Sequence, residues 1–147
     1  MKQSVTISRV SGDYGFEAVD SSGSRMTMDT SPDHGGTDFG VRPMQNLLIS
    51  LGGCSGIDVV SILKKQRQEF SSMQIVVDGE REQGPLPALW LSAHMSFHFE
   101  GPLDGAKTVH AAQLSVEKYC SVAETLRRAG CAITWEVIIN GQPVPAA

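Results

Sequence analysis

Two cysteines sit in contexts that could do chemistry. Cys54 lies within Gly52-Gly53-Cys54-Ser55-Gly56, in the middle of a long apolar stretch. Glycine inside a helix costs roughly 1 kcal/mol against alanine. Glycines crowded around one thiol imply either close backbone approach or space kept open beside the sulfur. Small-residue packing against a sheet or another helix fits equally well. Cys120 stands one residue before Ser121, which with Glu124 fits the capping box that opens a helix. The positive end of a helix dipole and its free N–H groups favour thiolate over thiol. A redox pair is one reading of these two residues; inert packing, the commonest fate of a buried cysteine, is the other.

The remaining reactive side chains point elsewhere. Cys131 opens an alternating run with Ile133, Trp135, Val137 and Ile139 and reads as a core residue. His94 and His98 share one strand face, separated by two strand steps of ~7 Å each. That is too far to share a metal comfortably, and no carboxylate or cysteine in the local pattern completes a zinc set. Both read as solvated surface histidines. None of the four histidines lies near either cysteine motif, which weakens a hydrolytic or acyl-transfer role. Asp58, one turn after Cys54, reads as a brace or cap for its helix; an unpaired carboxylate there would oppose thiolate formation. No metal or organic cofactor is implied.

Cys54 must be positioned by the stretch from Pro43 to Gln66. Proline suits a first helical position, where a missing N–H costs nothing. Met44, Leu47, Leu48, Leu51, Val59, Ile62 and Leu63 are joined by Ile49, Ile57 and Val60 on the other sides. A helix apolar nearly all round is a buried helix. Two dozen residues at 1.5 Å each span about 36 Å. One sheet cannot cover so much apolar surface, so the exposed side should meet a partner subunit and the chain should form a homodimer.

Before that helix, residues 3–10, 14–20 and 25–29 alternate between turn signals and read as an antiparallel meander. Residues 31–42, with their glycines and proline, read as a loop, open to motion, that delivers the chain to the helix. After it, residues 73–82 and 88–100 form a hairpin. In the second strand Leu89, Leu91, Ala93, Met95, Phe97 and Phe99 share the apolar face. Asp104 is a good N-cap for a helix to Tyr119, striped by Val109, Ala112, Val116 and Tyr119. The helix opened by Ser121 ends at Gly130, and residues 131–140 close the chain as a strand. The order is βββ-α-ββ-α-α-β, a single α+β domain over residues 1–147.

The totals agree. The chain has 147 residues, 41% hydrophobic and 19% charged, a globular composition. A net charge of −4 without a basic run argues against nucleic acid. The N-terminus alternates polar and apolar residues and lacks a signal-peptide core. The longest apolar run reads as too short and too glycine-rich to span a bilayer. Three cysteines suit a reducing cytoplasm better than a disulfide scaffold.

Leu51 to Leu63, reading LGGCSGIDVVSIL, and Glu117 to Val122, reading EKYCSV, resemble the two signature segments of the OsmC/Ohr superfamily, most nearly its YhfA-like branch. The resemblance runs over essentially the whole chain and implies an intertwined α+β homodimer with buried central helices. It implies a thiol peroxidase that reduces organic hydroperoxides, with Cys54 attacking and Cys120 resolving the sulfenic acid as a disulfide. Thiol or dithiol reductants would then restore the thiols. One departure stands out. Peroxidase members carry a glutamate just after the helix-opening proline, paired to an arginine that lowers the thiol pKa. Here Met44 holds that position with Gln45 beside it, and Tyr14 and Phe16 lie where the arginine is expected. Gln45 remains able to hydrogen-bond a peroxide oxygen, and Arg42 and Arg25 are the substitute cations, unless both are solvated surface residues. Phe16, Phe39 and Met44 would give a lipid-like substrate an apolar approach. The alternative is a non-enzymatic dimer of the same fold, holding a small apolar ligand at its interface.

Overall fold

The computed structural model describes residues 1–146, in two compact units, one over Met1–Leu47 and the other from Leu48 onward. In the first, β1 (Val5–Ser11), β2 (Gly15–Asp20) and β3 (Arg25–Met28) form the antiparallel meander the alternation predicts. The segment expected to be an open loop is tied down. Asp29, 2% exposed, accepts hydrogen bonds from the backbone N–H groups of Thr30, Thr37 and Phe39. These donors, Thr37 first, hold its carboxyl below the usual value of 3.8. Gly36 and Gly40 pass so close to Thr30 and Thr27 that a Cβ would overlap their backbones. A short 3₁₀ turn, Pro32–His34, completes the segment.

Helix α1 (Pro43–Lys65) begins at its proline and ends on Lys64 and Lys65, as the sequence predicts. One expectation about it needs correcting. By length and composition it could cross a membrane, with a mean hydropathy of 1.6, so it is not too short. A core helix passes the same test, and here Leu51, Gly52, Ser55, Gly56, Val59 and Leu63 are buried against protein. It also keeps, within this chain, the uncovered apolar side that the sequence predicts. Leu47, Ile49 and Ile57 are 39%, 46% and 71% exposed.

The second unit holds a four-stranded sheet in the order β4 (Ser72–Arg81), β5 (Trp90–Glu100), β6 (Ala132–Ile139), β7 (Gln142–Val144). The β4–β5 pair is antiparallel, as a hairpin requires, but β5 and β6 are parallel. A parallel pair needs a crossover, supplied by α2 (Gly105–Leu114) and α3 (Ser121–Arg128). Strand β7 is an addition to the expected order. It returns through Asn140-Gly141, both at positive φ, the backbone of a tight hairpin turn. The core joins Leu51, Val59 and Leu63 of α1 to Met95, Phe97 and Phe99 of β5, with Val109, Ala112, Val116 and Leu126 from the crossover helices. Leu89 and Leu91, expected on the same face, stay 46% and 47% exposed.

Glycine lets α1 sit close to β4. A Cβ on Gly52 would stand 3.1 Å from Val77, and one on Gly56 only 2.7 Å from the Ile75 terminal methyl. Gly56→Val should therefore lower stability by about 1–3 kcal/mol through overpacking. Adding Ile75→Ala should recover part of that loss in urea unfolding, because the clashing methyl is gone. Strictly additive losses would mean that the two residues do not meet.

Candidate functional site

Asp104 caps α2 as expected, its carboxylate accepting from the Lys107 N–H at 2.9 Å. The helix does not continue regularly to Tyr119. Residues Ser115–Tyr119 form a π turn, closed by Cys120 N–H donating to Ser115 O at 2.8 Å. Such a turn carries one residue more than α geometry would. It leaves Tyr119 52% exposed rather than in the apolar stripe. It also moves the next helix boundary. Cys120, not Ser121, is the N-cap of α3, and its sulfur accepts from the Ala123 N–H at 3.3 Å. Glu124, expected to complete a capping box, pairs instead with Arg127 and Arg128 in the last turn.

Cys120 is 2% exposed and Cys54 half-buried, and the two free thiols lie within interacting distance of each other. Ser55, fully buried on α1, donates from Oγ to Cys120 Sγ at 3.3 Å. Ser115, also fully buried, donates to Ser55 O at 3.1 Å and lies 3.2 Å from Asp58 Oδ2. Asp58 thus takes the bracing role rather than acting on the thiol. Burial pushes the Cys120 thiol above its usual 9.0; the Ser55 and Ala123 hydrogen bonds oppose that rise, and Cys54 adds to it. Cys131, 3% exposed, is raised by burial alone and packs in the core, as expected. Two depressions meet at Tyr119. One of about 610 Å³ is lined by Asp58, Ile62, Lys65 and Leu114, and one of about 350 Å³ by Lys118, Cys120, Glu124 and Arg128.

The other candidate groups lie in the first unit, each already engaged. Gln45 Oε1 accepts from the Arg42 backbone N–H at 3.1 Å, closing the first turn of α1. Arg42 binds Asp38 Oδ1 at 2.6 Å and Gly40 O at 3.0 Å, and Arg25 pairs with Glu17. The Arg25 side chain stays 63% exposed in a surface ion pair, and that of Arg42 is 31% exposed. His94 is not simply solvated: Nδ1 bonds Thr134 at 2.7 Å and Nε2 lies 3.4 Å from Glu136. The Ser96 hydroxyl first, then His94, holds the Glu136 carboxyl below its ordinary value. Among the described residues no group of three or more His, Cys, Asp or Glu side chains could hold a metal ion.

Sequence reasoning missed Ser55, Ser115 and the Ala123 N–H. Ser55 was in view beside Cys54, but its partner lies 65 residues away, and nothing local couples them.

The OsmC-like protein family matches residues 34–136 of this chain. Protein YhfA of Escherichia coli strain K12 is 42% identical over 88 residues, 59% of this chain and 65% of its own length, so the chain spans a little under two thirds of that relative. A hypothetical protein from Aquifex aeolicus VF5 is 30% identical, with a TM-score of 0.78 over 95% of this chain and 98% of its own. An organic hydroperoxide resistance protein OsmC from Legionella pneumophila has the same fold, with a TM-score of 0.69 at 11% identity over 94% of this chain and 97% of its own.

Desolvation should be visible in labelling. Alkylation of Cys120 in the native reduced protein, followed by mass spectrometry of its peptide, should rise with pH to a midpoint above 9.0. In denaturant the midpoint should fall back to the ordinary value. The same midpoint in both conditions would show that burial does not control this thiol.

Proposed function

The chain belongs to the OsmC family, and from that premise we propose that it is a thiol-dependent peroxidase acting on organic hydroperoxides. One observation supports the reading: a half-buried thiol and a buried thiol, far apart in sequence, are close enough for one to raise the pKa of the other. The exposed partner of such a pair meets the oxidant and the buried one resolves it. Cys54 attacks the outer peroxide oxygen, the O–O bond breaks, and the alcohol leaves with a proton. Cys54 becomes a sulfenic acid. Cys120 then forms the S–S bond while the S–O bond breaks and water departs. A thiol or dithiol reductant reopens the disulfide, itself becoming oxidised.

The supporting groups are proposed as substitutes, since none of them stands where the family pattern places its glutamate and arginine. Gln45 offers an amide to a peroxide oxygen. Arg42 or Arg25 could supply a cation only by giving up Asp38 or Glu17. We assign the whole chain to one OsmC-like domain in the cytoplasm. A second copy covers Leu47, Ile49 and Ile57 of α1, whose exposure in one chain leaves apolar surface in water.

A second reading is a non-enzymatic dimer binding a small apolar ligand. Two observations favour it. Met44 stands where peroxidase members of the family carry glutamate. A depression of about 480 Å³ in the first unit is lined by Val5, Ile7, Ala18, Met26 and Met28.

Single-turnover oxidation separates the readings. Reduced protein should react with cumene hydroperoxide at least about tenfold faster than with hydrogen peroxide, ~1.4 kcal/mol of barrier. Cys54→Ser should abolish the reaction, and Cys120→Ser should accumulate sulfenic acid. Oxidation no faster than that of a free thiol would leave the ligand-binding dimer as the surviving reading.

A further inference from the structure

Resting on the pairing of Cys54 with Cys120, we propose that Ser55 is a positioning residue for resolution: its hydroxyl and the Ala123 N–H form a two-donor cradle that stabilises Cys120 as it becomes a thiolate. Both donors reach the sulfur at 3.3 Å, from separate elements, one on α1 and one on α3. Ser55 is held for the task, since its carbonyl is gripped by the fully buried Ser115 hydroxyl. A neutral thiol is a weak acceptor and gains little from two donors. A thiolate gains much more, because hydrogen bonds to an ionised group are roughly twice as strong as neutral ones.

The cradle answers a specific difficulty. Cys120 is almost without solvent, so ionising it to attack Cys54 carries a desolvation penalty that burial alone would leave unopposed. The sulfur's hydrogen-bond donors among the described residues are Ser55 and Ala123, while Arg127 and Arg128, at the far end of α3, are engaged by Glu124. In the attack the Cys120 sulfur supplies the electron pair of the new S–S bond. The group on Cys54 leaves with the electrons of the broken bond, and the Cys120 proton passes to the departing oxygen or to water. When an external thiolate later attacks Cys54, the same donors receive Cys120 as the leaving thiolate.

The test does not need a peroxide. Reduced protein in a Cys131→Ser background is mixed with one equivalent of a symmetrical nitrobenzoate disulfide, whose released thiolate is coloured. The first release reports Cys54 attacking the reagent, and the second reports Cys120 displacing the reagent's remaining half from Cys54. Ser55→Ala should leave the first phase within about twofold and slow the second by about tenfold or more, the scale of one hydrogen bond to a charged group. Its second-phase pH profile should move to higher pH. A second phase unchanged in Ser55→Ala, or slowed without a pH shift, would overturn the proposal, as would no second release from the parent protein. Failure of the peroxidase reading shows separately, as a normal two-phase trace from a protein indifferent to cumene hydroperoxide.

Discussion

Helix α1 can lie against β4 only because its facing positions carry so little side chain. Gly52 and Gly56 leave the Val77 and Ile75 side chains as the surfaces it rests on. Ser55 belongs to that same buried face, and its hydroxyl reaches Cys120 across the packing at 3.3 Å, an ordinary length for a hydrogen bond to sulfur. Hydrogen bonds weaken steeply with misalignment and distance. A helix lifted by even one methyl group would draw Ser55 away from the sulfur and part the thiols. Each glycine forgoes roughly 1 kcal/mol of helix propensity. The return is that two thiols from distant parts of the chain come close enough to influence each other.

The second device is the π turn before Cys120. An α-helical continuation would have carried the chain past Tyr119 without the extra residue, and the capping pattern of Ser121 and Glu124 would then have been free to operate. The π turn instead delivers a cysteine to the N-cap, where serine, threonine, aspartate or asparagine would be usual. Sulfur is a poorer acceptor than those oxygens, so the cap stabilises α3 less than it could. Arg127 offsets part of this by bonding Val116 O at 2.6 Å, fastening the end of α3 to the π turn. A weak cap whose acceptor becomes strong on ionisation is a poor structural device and a good chemical one.

These features explain what was legible in the sequence. The bounds of α1 followed from Pro43, the apolar run and the terminal lysines, all local signals. The Asp104 cap was readable for the same reason. The Ser121–Glu124 pattern misled because a π turn has no side-chain signature, and one inserted residue is enough to move a boundary. Strand β7 had a signal in Asn140-Gly141, muted by Pro143 in a three-residue strand. Glu136 beside Ser96 and His94 was invisible, because it depends on the parallel β5–β6 register and hence on the whole crossover. Cys54 and Cys120 were picked out by their surroundings; Ser55 was not, since only the fold gives it a partner.

The two thiols are asymmetric in a way that suits sequential chemistry. A reagent from solution can reach Cys54, but it gains almost no access to Cys120. Burial keeps Cys120 in its neutral form at rest, protected from the oxidant and from stray exchange. That protection would also disable it as a nucleophile, unless something favoured the ionised form more than the neutral one. Only interactions stronger in the transition state than in the ground state accelerate a step. Two hydrogen-bond donors aimed at one sulfur have that property, and a permanent cation would not have it to the same degree. A cation would stabilise thiolate at rest and expose Cys120 to premature reaction. In the proposed reaction, burial would keep Cys120 in reserve, and Ser55 with the N-terminus of α3 would release it only when Cys54 offers a bond to attack.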